Sequence, residues 1–171
     1  MSLIGARSAG DPSPAAVARV TAQLGRLDAF SFWVVPTGAK TRGDLVVVGA
    51  TGAFLIETCA LAGRLDYGRG TPTVGDLVIP GLLRLKKAAK GVTATLGRAS
   101  VFVETEPVVC LTEAVVGAPT TSKAVTILHM RDLVSHISSR PRVLEHGRAQ
   151  RGARALGMTI AGDHKRHFTV G

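Results

Sequence analysis

Two apolar runs flank a glycine-bearing tetrapeptide in the stretch Gly43-Asp44-Leu45-Val46-Val47-Val48-Gly49-Ala50-Thr51-Gly52-Ala53-Phe54-Leu55-Ile56-Glu57-Thr58-Cys59. Runs rich in Val, Ile and Phe on either side of such a turn predict a β-hairpin. With Gly49–Gly52 as the loop, Val48 pairs with Ala53, and counting outward places Asp44 opposite Glu57. Side chains in that relation have Cβ atoms about 4.5–5.5 Å apart, and like charges there repel. Two carboxylates at the end of an apolar hairpin call for a cation or a proton between them. Asp44 and Glu57 are therefore candidate metal-binding and catalytic residues. Their hard oxygens suit Mg²⁺ or Mn²⁺, ions that neutralise charge at a phosphate and lower the pKa of a bound water. The alternative is that each acid merely ends its strand at the solvent edge. Cys59 is the next residue on the Glu57 face.

The remaining elements follow from periodicity and punctuation. Ser13 before Pro14 reads as an N-cap with proline at the first helical position. Val17, Val20, Leu24 and Leu27 then make 14–27 an amphipathic helix. Phe30 to Val35 predicts a short strand, 62–67 an extension of the sheet, and 68–76 a Gly/Pro-rich loop. Gly81 to Leu96 predicts a long helix with an apolar stripe of Leu82, Leu85, Ala89, Val92 and Leu96. Arg84, Lys86, Lys87 and Lys90 are its charged positions, and Gly97 is its C-cap signal. Val101–Val103, Val108–Leu111 and Ala124–Leu128 read as strands, and Met130–Ser138 and Val143–Leu156 as short helices. This order predicts an α/β (α+β) domain: three layers, with a mixed β-sheet and flanking helices. The expected organisation is a disordered segment over 1–12, one domain over 13–157 and a mobile basic tail over 158–171. From Arg140 onward seven Lys/Arg stand against two acids.

The 171 residues carry 21 Lys/Arg against 12 Asp/Glu, a formal charge of +9 that favours polyanionic partners. Two cysteines are too few for a disulfide scaffold, and no signal-peptide pattern opens the chain, so a reducing, cytoplasmic setting is expected. The most hydrophobic stretch is a hairpin rather than a membrane span, because it holds acids, glycines and β-branched residues. Aromatics are scarce, which argues against a base-stacking platform and for nucleic-acid contact through phosphates. No Cys/His spacing suggests zinc. Gly68-Arg69-Gly70 opens no helix and is not a dinucleotide loop. Ser135-His136 lacks the geometry of a catalytic triad.

The segment 44–65 resembles the core of nuclease-related (NERD) domains, which belong to the restriction-endonuclease-like PD-(D/E)xK fold. In that family an Asp opens the first hairpin strand, a glycine-bearing turn follows, and the second strand ends in acid-x-Lys. A weaker likeness in order and spacing extends over 14–156. It takes in the leading helix, Pro80 before the long helix, the Pro107-Val108-Val109 and Val125-Thr126-Ile127-Leu128 strands, and Asp132-Leu133-Val134. The resemblance implies metal-binding carboxylates at Asp44 and Glu57 and puts Cys59 where the family has its lysine. Family members tend to carry a Gly-Glu pair in the first helix, where this chain has Ala16 and Val17. A Gln near the start of the long helix has no counterpart around Leu82 to Leu85.

A thiol cannot do what that ammonium does, which is to orient the attacking water and stabilise charge in the transition state. Removing one such preorganised group typically costs on the order of 10²–10³ in rate. The expected function is thus a nucleic-acid-associated module with a degenerate nuclease site, non-catalytic or weakly catalytic, binding DNA through Lys40, Arg42, Lys86, Lys87 and Lys90. One alternative is an active Mg²⁺-dependent nuclease in which one of those cations replaces the lysine. Another is a protein-interaction or homo-oligomerisation domain with no membrane partner.

Overall fold

The computed structural model describes residues 14–27, 32–34, 45–161 and 168–170. In chain order these form α1 (Pro14–Leu24), β1 (Phe32–Val34), β2 (Leu45–Gly49), β3 (Gly52–Cys59), β4 (Gly63–Asp66), β5 (Thr73–Val74), β6 (Leu77–Val78) and α2 (Leu82–Arg98). They continue as β7 (Thr105–Leu111), β8 (Ala114–Val115), β9 (Thr120–Ser122), β10 (Val125–His129), α3 (Leu133–Ser138), α4 (His146–Ala161) and β11 (Phe168–Val170). No helix among the described residues is long and apolar enough to cross a membrane.

The predicted hairpin forms in the predicted register. Val48 pairs with Ala53, Gly49 with Gly52 and Leu45 with Ile56. Every residue of β2 and β3 is buried, which is why the pair reads as two continuous apolar runs instead of an alternation. The hairpin lies inside a seven-stranded sheet of order β11-β1-β2-β3-β7-β10-β9. β1, β2 and β3 form an antiparallel meander, whereas β3, β7 and β10 run parallel, so the sheet is mixed.

Helices cover both faces. On one, Val46, Val48, Leu55, Val109 and Leu111 pack against Leu85, Ala89 and Leu96 of α2 and Ala149, Ala153 and Leu156 of α4. On the other, Leu45, Val47, Phe54, Ile56 and Val108 pack against Val20 and Leu24 of α1 and Leu133 and Ile137 of α3. The two α4 alanines flank Gly152, where a Cβ would come within 2.9 Å of Leu96 Cδ2. Small residues there let α4 settle onto α2 and β2.

Several boundaries differ from the sequence reading, for local reasons. Gly97 is not the C-cap of the long helix, which continues to Arg98. Ser100 takes the left-handed position at φ 60° instead. Its N–H donates to Gly97 O, and the Val101 N–H donates to Leu96 O, the paired bonds of a Schellman close. Burial of Val101 beside Leu96 supplies the apolar contact that accompanies this motif. Val101–Val103 is consequently a connector, not a strand.

Residues 62–67 do not extend the main sheet. Gly63–Asp66 joins a separate four-stranded sheet of order β6-β5-β4-β8. The expected 68–76 loop contains a 3₁₀ turn at Gly68–Gly70 and the β5 strand. The helix read from Val143 begins at His146 and runs to Ala161. Of the expected tail, 158–161 lie in α4, and Phe168–Val170 pairs antiparallel with β1. The expected N-cap Ser13 and disordered segment 1–12 lie outside the described residues.

Candidate functional site

Glu57 is a carboxylate in a strand that is otherwise almost entirely apolar, and it is 7 % exposed. Pleating puts Leu55, Glu57 and Cys59 on the β3 face that receives α2. From the first turn of that helix, Arg84 Nη2 donates to Glu57 Oε1 at 2.8 Å. Gly81 makes this contact sterically feasible. It precedes the helix at φ 77°, and a Cβ there would lie 3.3 Å from both Nε and Nη2 of Arg84. Any other residue would be strained and would press on the guanidinium.

Among the described residues, the cation that meets Glu57 is therefore Arg84. Lys86, Lys87 and Lys90 form no ion pair with it. Lys86 is half-buried, while Lys87 and Lys90 are exposed along α2. Asp44, Lys40 and Arg42 lie outside the described residues, and so does the predicted opposition of Asp44 and Glu57.

Cys59 is a buried thiol at the position the resemblance assigns to a lysine. Burial pushes its pKa up, a hydrogen bond involving the Leu61 backbone opposes this, and the Glu57 carboxylate adds to the rise. Cys110 lies beside Thr58 in the β3–β7 register, and burial with the nearby Cys59 raises it to about 12. Burial keeps both cysteines protonated at neutral pH, so neither is an activated nucleophile. No group of three or more His, Cys, Asp or Glu among the described residues is arranged to hold a metal ion.

No protein-family model matches this chain, and no curated protein or solved structure matches it.

A second polar cluster lies on the opposite face of the sheet, toward the start of β7. Glu106 Oε1 accepts from Thr126 Oγ1 at 2.7 Å, from Arg140 at 2.9 Å and lies 2.8 Å from His136 Nε2. Its Oε2 accepts from Arg140 Nη2 at 2.8 Å. The His136 ring also meets Phe54 edge-on, with centroids 6.5 Å apart. Burial alone would raise the Glu106 carboxyl. The hydrogen bonds from His136 and Thr126, the electrostatic pull of His136 and the Arg140 hydrogen bond outweigh it and hold the group at about 2. A carboxylate so fully engaged is not a proton acceptor near neutrality. It clamps β7 and β10 to α3 and to the chain that follows.

The sequence reading passed over this cluster, treating His136 only as half of an unconvincing triad. Two signals were available. Glu106 is an acid at the head of an apolar strand, and His136 and Arg140 are four residues apart, the spacing of neighbours on one helix face.

Proposed function

We propose that this chain is a NERD-like domain of the restriction-endonuclease-like class that has lost hydrolysis and retains association with nucleic acid through phosphates. The observation that carries this reading is the Glu57–Arg84 pair beside buried Cys59. The acid of an acid-x-Lys pattern is present, the amine is absent, and a guanidinium from the neighbouring helix neutralises the carboxylate. The order helix, antiparallel meander, crossover helix and parallel strand (α1, β1–β3, α2, β7) supports the same assignment.

Arg84 preserves charge but does not restore catalysis. Its Nη2 donates to the Glu57 carboxylate, the group that would have to hold the metal, instead of orienting an attacking water. It does retain donors for a phosphate after one N–H is committed to Glu57, and its side chain is 45 % exposed. With Lys86, Lys87 and Lys90 it makes α2 a basic helix with no acid in its first turn. Free cysteines at 59 and 110 suit a reducing, cytoplasmic compartment.

Fluorescence anisotropy of a labelled DNA duplex titrated with protein at several salt concentrations tests the binding half of this reading. The expected affinity falls linearly on a log–log plot against salt, by about 0.9 per phosphate contact. A Lys86→Gln, Lys87→Gln, Lys90→Gln variant is expected to bind more weakly and to lower that slope by about 2–3. Absence of binding at low salt, or an unchanged slope in the variant, refutes phosphate recognition by this helix.

A further inference from the structure

Phe102 is 83 % exposed, yet it is held between well-anchored neighbours. Val101 on one side is fully buried and fixed by the Schellman close of α2. Thr105 on the other begins β7 and receives its own anchor, the Thr105 N–H donating to Thr93 Oγ1 at 2.9 Å. The ring is thus displayed by a pinned connector, and its exposure is built into the fold.

It stands where two clefts meet. One, of about 480 Å³, runs along α2 and is lined by Lys86 and Lys90. The other, of about 440 Å³, lies over the start of β3 and is lined by Arg140 and Val143. Both are lined in part by Phe102, Val103 and Glu104, so the ring stands on the ridge between a cleft on the α2 face and one toward the opposite face of the sheet. Each cleft falls in the size range of a small-ligand pocket. The clefts take in the start of β3 and of β7, whereas Glu57 lies toward the end of β3.

We propose that the cleft along α2 binds a single-stranded nucleic-acid segment, with one base stacked on the Phe102 ring and phosphates beside Lys86 and Lys90. The proposal rests on the nucleic-acid reading above and adds to it the form of strand and the residue that selects it. Aromatic stacking with a basic wall is how single strands are held without base-specific hydrogen bonds. A duplex keeps its bases stacked internally and gains nothing from the ring. Composition counts few aromatics, but one exposed ring beside a cleft that holds Lys86 and Lys90 is sufficient for a single stacking step. Exposed Glu104 also lines this cleft and opposes phosphate.

Anisotropy titrations of a short labelled oligothymidylate and a labelled duplex test this, using wild type, Phe102→Ala, Phe102→Trp and Glu104→Gln. Phe102→Ala is expected to weaken single-strand binding about tenfold or more while leaving duplex binding unchanged. Phe102→Trp is expected to retain binding and to show fluorescence quenched by the oligonucleotide, and Glu104→Gln to bind more tightly. Single-strand binding indifferent to Phe102→Ala, or duplex and single strand weakened alike, overturns the proposal. Duplex binding without single-strand binding overturns it and leaves the nucleic-acid reading standing, whereas binding of neither removes both. Self-association lost in Phe102→Ala with oligonucleotide binding intact would make the ring a contact between copies and also overturn it.

Discussion

Replacing Glu106 with Ala is expected to destabilise the domain by about 2–3 kcal/mol. The change leaves Thr126 Oγ1, His136 Nε2 and Arg140 Nη2 without the acceptor they share. Stranding the two largely buried donors, the Thr126 hydroxyl and the His136 ring, costs more than deleting both halves of a pair, whereas exposed Arg140 is rehydrated and adds little. Glu106→Gln keeps the shape but removes the charge that Arg140 faces, so it is expected to cost about 2–3 kcal/mol at pH 7. Linkage gives only a ceiling. The Glu106 pKa is lowered from 4.5 to about 2 on folding, which is at most about 3 kcal/mol before solvent screening at the half-buried carboxyl and at exposed Arg140 reduces it. Because the folded value is depressed, this stability is fully present above about 4.5 and is lost as pH falls toward 2. Urea unfolding of wild type and Glu106→Gln at stepped pH checks both claims. The gap between their stabilities should be wide at pH 7 and close as pH descends through that window. A gap that is small at pH 7, or that persists unchanged in acid, contradicts the clamp.

The second large effect concerns Glu57 and Arg84. Arg84→Ala is expected to cost about 1–3 kcal/mol, since it removes a cation that meets a carboxylate whose side chain is only 10 % exposed. The favourable Coulomb energy of the pair is itself modest, because Arg84 is 45 % exposed and screened. The cost comes instead from the buried charge that remains. Glu57→Gln should therefore be close to neutral, and Arg84→Ala combined with Glu57→Gln should recover most of what Arg84→Ala loses. A double-mutant cycle in urea reads this coupling directly. Additive effects, or an Arg84→Ala loss below about 0.5 kcal/mol, would reduce Arg84 to a surface side chain.

The sequence disclosed the centre of this molecule more readily than its edges. β2 and β3 were legible because a sheet covered on both faces demands uninterrupted apolar runs, and the glycine-bearing turn fixes their register. Glu57 stood out for the same reason, as an acid where burial is expected. Its partner did not, because Arg84 looks like any other charged position on an amphipathic helix. Only the approach of α2, and the room left by Gly81, brings it to the carboxylate. Glu106, His136 and Arg140 are separated by 30 and 34 positions from strand to helix, beyond the reach of any periodicity. The end of α2 was misjudged because Gly97 satisfies the usual cap signal while Ser100, at φ 60°, accepts the left-handed backbone. Phe102 was invisible for a simpler reason. Composition counts rings without saying which of them faces water.

The central claim is a nuclease-like site silenced by an absent amine, and incubation of a labelled DNA duplex with Mg²⁺ or Mn²⁺ tests it most directly. The duplex should emerge intact from wild type and from Glu57→Gln alike, while Cys59→Lys, if it folds, is the variant in which cleavage would return. Cleavage by the wild-type protein that disappears in Glu57→Gln would contradict the account and make this chain an active hydrolase.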